Sequence, residues 1–409
     1  LGGFEELPPQ LASGSQVLTL VKEEMLVAKD EEAVFRWVVR WWEAAKRPEA
    51  ELMAIVKHVR FATMEEGFLR DTVGAWPPLI SAEGQGMLFK AMVPVGGLQP
   101  LRRLGFGPRR IYLVGGDGGA GQRNLRTVLA YDPALDSWCE VASMATGRCA
   151  HGAAALGGKL YVVGGLAETA AVSAQAEVYD PKADSWQLLP SMPTARKSLA
   201  VAAVAGKIYA IGGCNDDEEH VNAVEAYDPV SGAWARVASL PVARRLHRAT
   251  SVAGKIYVLG GEVVDPDTDA DEDGTSATGR VDVYDPATDS WQQMAAMPTA
   301  KYAHTAAILD GKIYVTGGYD SDGQGKTGCD AYDPVTNTWT TIASLSEPRG
   351  HHASAVVNGK LCVFGGWLSH PHHRQTNLVE VYSPASNSWA RVGVADLPSA
   401  IDEAAAVAI

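Results

Sequence analysis

Cysteine is scarce: Cys139, Cys149, Cys214, Cys329 and Cys362 are an odd set of five in 409 residues, without paired spacing. Neither a disulfide framework nor a zinc ribbon is expected from them, and a reducing compartment suits them. Basic residues are outnumbered, 35 Lys and Arg against 48 Asp and Glu, for a net charge of -13. That balance argues against non-specific nucleic-acid binding, which needs a dominant basic surface to displace counterions. No apolar run approaches the length that crosses a bilayer, and no secretory leader pattern opens the sequence, so a cytoplasmic location is expected, with a nuclear or cytoskeleton-associated one as the alternative. No P-loop, dinucleotide fingerprint or nucleophile-base-acid set is found, so no enzyme activity, cofactor or metal is expected.

What the chain does have is turn formers and large anchors: 42 glycines, 22 prolines and 11 tryptophans. They are ordered by a repeat. The hexapeptide of residues 111–116, Ile-Tyr-Leu-Val-Gly-Gly, returns with small changes at 160–165, 208–213, 256–261, 313–318 and 361–366. Each copy is followed by a tyrosine and, seven residues later, a tryptophan, from Tyr131 and Trp138 to Tyr382 and Trp389. A period of 48–49 residues, lengthened once to 57, identifies one supersecondary unit used six times.

The double glycine with its spaced Tyr and Trp resembles the Kelch repeat. The resemblance implies a mainly β chain, a six-bladed β-propeller over residues 108–409, with four antiparallel strands per blade. A four-stranded sheet with two apolar faces cannot hide both alone, so neighbouring blades must cover one another and the set must close into a ring. Repeats two to six are each preceded by a strand of small apolar residues, but repeat one is preceded by Gly105, Gly107 and Pro108. The stretch from Glu403 to Ile409 lies in the register of such a strand and is predicted to pair beside Ile111 to Val114, closing the ring.

Ahead of the repeats, residues 1–75 show helical spacing, clearest in Val34, Trp37, Val38 and Trp41, and residues 76–107 read as a linker rich in Gly and Pro. The runs EEAVFRWV and VKHVRF in the helical part resemble the later half of the BACK domain. Together the two resemblances imply a BTB-BACK-Kelch protein whose propeller recognises a protein substrate for a cullin-RING ubiquitin ligase. The cullin and a homodimeric partner would be reached through BTB and early BACK regions outside this sequence. A cytoskeletal or actin-binding scaffold is the alternative, and a propeller enzyme comes third.

Candidate binding residues sit in two sets. A cation follows each blade's last strand at a fixed place, Arg148, Arg196, Arg244 with Arg245, Lys301 and Arg349, while the sixth place holds Ile401. Four histidines, His151, His247, His304 and His352, stand three residues further on. The cations fall at one face, where they would clamp carboxylates of an acidic peptide; the reading given more weight is that they belong to the repeat and tie adjacent blades together. The second set follows double glycines: Tyr319, Trp367 and, in a histidine-rich loop, His372. An acidic insertion at 262–274 imitates the opening of an EF-hand, but Arg280 replaces its last ligand. A solvated loop that attracts a basic partner is preferred to a calcium site.

Overall fold

The computed structural model describes residues 110–133, 135–264, 274–369, 372–391 and 394–409. The helical module 1–75 and the linker 76–107 lie outside the described residues, as does most of the acidic insertion. Six four-stranded antiparallel sheets account for the six repeats, one blade each.

Blade 3 shows the plan. Its innermost strand is Ala200–Val204, followed outward by Lys207–Ile211 from the hexapeptide copy, Val224–Asp228 with the tyrosine, and Ala233–Val237 with the tryptophan. The two middle strands are buried on both faces, which is why they read as unbroken apolar runs. The outer strand leaves Ala233, Ala235 and Arg236 exposed, and only Trp234 and Val237 are partly buried.

Adjacent blades are pinned by polar contacts that the repeat supplies. The indole Nε1 of Trp186 donates to the Ala142 carbonyl of the preceding blade at 2.7 Å, and Trp138 reaches Ala395 at 2.9 Å in the same way. The Tyr179 hydroxyl donates to Asp184 at 2.7 Å, and the same carboxylate oxygen accepts the N–H of Ala142 at 2.8 Å. In blade 3 a glycine, Gly232, stands where that carboxylate would be, so its Tyr227 lacks the clamp.

The closing strand forms as the sequence indicates. Ala405–Ala408 pairs antiparallel with Ile111–Val114, from Ile111 opposite Ala408 to Val114 opposite Ala405, and completes the first blade. The double glycines serve close approach as well as the turn. At Gly116, with φ of 94°, a Cβ would fall 2.4 Å from the Asp402 carbonyl oxygen, so only glycine lets the neighbouring loop lie against the strand end.

Candidate functional site

The cation ladder is inside the protein. Arg148, Arg196, Arg244 and Arg349 are fully buried and Lys301 is 1% exposed. Each side chain turns back beneath the next blade. Arg196 Nη1 donates to the Gly212 carbonyl at 3.0 Å and to Ala223 at 2.7 Å, and its Nη2 meets Glu225 at 2.8 Å. Arg148 pairs with Glu177 and Arg349 with Glu380, both at 2.5 Å, Arg244 pairs with Asp282, and Lys301 reaches Asp330 at 3.4 Å. The backbone of the same residue faces the other way. Its carbonyl accepts the N–H of the second glycine in the preceding blade, as from Gly165 to Arg196 at 2.9 Å. These five residues are therefore corrected from surface clamps to ties between blades. The physical reason is the partner: two residues before the blade tyrosine stands Glu177, Glu225, Asp282, Asp330 or Glu380, and a guanidinium that finds a carboxylate and two carbonyls indoors has no reason to stay in water.

The histidines lie just inside them. His247, His304 and His352 are fully buried and His151 is 7% exposed. Burial first, and then the adjacent Arg148 and Arg248 charges, push His151 down to about 3. Burial and neighbouring cations hold His247, His304 and His352 well below the usual imidazole range too. All four are neutral at physiological pH.

The surface that remains is a ring of residue pairs at the end of the axis where these loops gather. The residue after each cation, or after Ile401 in the sixth place, is bridged to the residue after a double glycine: Cys149 to Leu166, Lys197 to Cys214, Arg245 to Glu262, Tyr302 to Tyr319, Gly350 to Trp367 and Asp402 to Asp117. Inside this ring runs a collar of residues with positive φ: Ala150, Ser198, Leu246, Ala303, His351 and Glu403. Their backbones are linked in series, Ser198 N–H to Ala150, Leu246 to Ser198, Ala303 to Leu246, His351 to Ala303 and Glu403 to His351, at 2.8–2.9 Å. Six residues whose backbones are held in a sparsely populated region and tied in a chain form the rim of the axial channel.

The rim is not uniform. One arc is charged and self-neutralised: Arg245 pairs with Glu262 at 2.5 Å and Glu218 at 2.6 Å, and Lys197 also pairs with Glu218. The next arc is aromatic. Tyr302 and Tyr319 lie 5.6 Å apart, Tyr319 and His351 are at the same separation, and the Tyr319 hydroxyl donates to the Trp367 carbonyl at 3.5 Å. Gly350 makes room for this packing, since a Cβ there would fall 2.0 Å from the Tyr319 ring. The third arc is acidic. Burial, with Glu403 and Asp117 adding to it, pushes Asp402 up to about 7 even though Gln375 donates to it at 2.7 Å.

Of the residues picked from the sequence, Arg245, Tyr319 and Trp367 belong to this rim, and His372 is half-exposed in the loop beyond it, 4.0 Å from Glu347. Lys197, Tyr302, His351 and Asp402 were missed. Their signal was positional, one or two residues after the cation or, for Asp402, after Ile401 in the cation's place. A possible metal set was also invisible in the sequence: Asp117, Cys149 and Glu403 offer atoms within 4.8 Å of one another. Burial, followed by the two carboxylates, pushes the Cys149 thiol up, which keeps it a neutral thiol.

Comparison with known proteins covers most of the chain. The KLHDC2/KLHL20/DRC7 Kelch-repeats domain matches residues 103–261 and 246–409, and the BACK domain, "BTB And C-terminal Kelch", matches residues 9–74. Kelch-like protein 3 of Danio rerio is 29% identical over 165 residues, and that of Homo sapiens 30% over 163 residues; each match takes in 37% of this chain. The matched part spans 27% of the length of these relatives. The solved structure of YjhT covers 64% of this chain and 87% of its own with a TM-score of 0.54 at 17% identity, a likeness of fold.

Proposed function

Because the chain belongs to the family of BACK and Kelch-repeat propeller proteins, we propose that it is a protein-recognition subunit which holds a partner on the rim of its propeller and presents it to a cullin-RING ubiquitin ligase. The observation that carries the recognition reading is Trp367. Seven tryptophans fall among the described residues. Six of them are the repeat's own and donate Nε1 to a carbonyl of the neighbouring blade. Trp367 is surplus to that scaffold and 38% exposed, beside the Tyr302–Tyr319–His351 arc. An exposed tryptophan on a rigid aromatic platform, flanked by charged arcs that fix orientation, is the composition of an interface hot spot.

The ligase role rests on the family, since adaptors of this organisation recruit a cullin through the regions ahead of the repeats. Two measurements test the two halves. Full-length protein immobilised from cells should retain a cullin, and its absence where a known adaptor retains one would remove the ligase role. Trp367→Ala should release the proteins that co-purify with the propeller, and an unchanged set would remove the rim as the binding face. Saturable pelleting with actin filaments in place of cullin retention would favour a cytoskeletal scaffold.

A further inference from the structure

Behind the rim the axis holds a cavity of about 140 Å³. Its wall is made by the first residues of the six innermost strands, which stand in equivalent register: Gly152, Ala200, Arg248, Thr305, Ala353 and Ala405. Five of the six are no larger than threonine. Arg248 alone carries a long side chain and a charge, and part of its surface opens on the cavity.

Unlike the blade ties, Arg248 has no carboxylate. Its Nη1 donates to the His247 carbonyl at 3.2 Å, and no acidic group among the described residues lies within ion-pairing distance. Glu403, the acidic residue that most influences it, is directed at His351, 3.5 Å away. Burial pushes the guanidinium down to about 10, so it is still charged at neutral pH. The imidazoles around it are neutral, and neither ring nitrogen of His151, which lines the cavity, makes a well-formed hydrogen bond. Each innermost strand is also a free sheet edge, so unpaired N–H groups face the axis.

We propose that this cavity is a binding site for a small oxyanion, held by the Arg248 guanidinium. A partly desolvated cation without a counter-charge is costly, and a ligand that supplies one relieves that cost. The planar fork presents parallel N–H donors to two oxygens of a carboxylate or phosphate. At about 140 Å³ the cavity admits such an ion with a few waters, and it shares Ala153, Val201 and Ala249 with a wider stretch of about 350 Å³ further along the axis. The site is independent of the partner-binding rim: it needs neither Trp367 nor Tyr319.

The test is thermal unfolding and calorimetry of the full-length protein with inorganic phosphate and, separately, acetate, at constant ionic strength with chloride as the reference. A saturable rise in Tm is expected with at least one of them, and the stronger of the two identifies the oxyanion class. Arg248→Met should abolish the rise. Ala405→Leu, which fills the opposite wall and leaves the charge in place, should abolish it too, with a cooperative melt showing that each variant folds. Trp367→Ala should keep it. An equal rise in wild type and Arg248→Met, or no saturable response to either anion, overturns the proposal.

Discussion

Ile401 and Leu129 lie in one apolar cluster at the seam between the last blade and the first, the place where each of the other five seams buries a cation against a carboxylate. Both members change together. Ile401 still keeps the backbone half of the tie, accepting the Gly366 N–H at 2.8 Å, so the fold tolerates an apolar pair so long as neither partner is left charged and alone.

That relationship predicts an asymmetry in mutation. Arg196→Ile should cost about 3–5 kcal/mol, because Glu225 then stays buried with only the Thr194 hydroxyl and the exposed Arg236, 3.8 Å away, to compensate it. Adding Glu225→Leu, to copy the Ile401–Leu129 seam, should recover most of the loss. Urea denaturation of the two variants checks it, and a double variant no better than the single one would refute the reading.

The buried histidines make the ring acid-labile. His247 titrates well below 6.5 because it is buried beside Arg244 and Arg248, whereas in the unfolded chain it takes up a proton near 6.5. Its contribution is therefore complete above pH 6.5 and is lost as pH falls below it. Leu199 holds the equivalent place in blade 3, so His247→Leu is a native solution. The variant should gain up to about 2 kcal/mol on wild type between pH 8 and pH 5, read from denaturation at both values.

Asp402 works in the opposite direction. Its pKa is raised from 3.8 to about 7, so the folded protein holds that proton more tightly than the unfolded chain does. Stability from this group is present at low pH and is lost as pH rises through 7. Asp402→Asn keeps an acceptor for Gln375 and should stabilise the protein at pH 8 by about 1–3 kcal/mol, with the difference fading toward pH 4. Melting curves across that range decide the matter.

Two tryptophans should separate binding from scaffold. Trp367→Ala should weaken partner retention at least about tenfold with little change in Tm, as expected of an exposed hot-spot residue. Trp339→Ala removes a ring packed on Tyr332 at 5.0 Å and a bond to Ala295, and should cost about 3–5 kcal/mol. Quantitative co-purification together with unfolding of both variants distinguishes the roles.

The fold was legible because it is periodic: the hexapeptide, the Tyr–Trp offset and the orphan strand after Trp389 each state a relation that only a closed ring satisfies. The site was legible in part. Arg148 and its equivalents were visible as a ladder, but a basic residue in a loop looks the same whether it faces water or doubles back. What decides between the two is the acid two residues before each tyrosine, present in five repeats and replaced by Leu129 in the sixth. The rim residues Lys197, Tyr302 and Asp402 escaped because they differ in chemistry from blade to blade, and a repeat search weights sameness. Arg248 escaped for the same reason, as one cation among five small residues in equivalent places.

The pairing of Ala405–Ala408 with Ile111–Val114 also sets an order of events during synthesis. Blades 2 to 6 draw all four strands from neighbouring sequence and are free to form as each repeat is made. Blade 1 lacks its innermost strand until nearly 300 residues later, and loop closure over that separation comes last and slowly. Until then Ile111–Val114 presents an unpaired apolar edge to the cell, so the interval between the first hexapeptide and the closing strand is when the nascent protein most needs a chaperone.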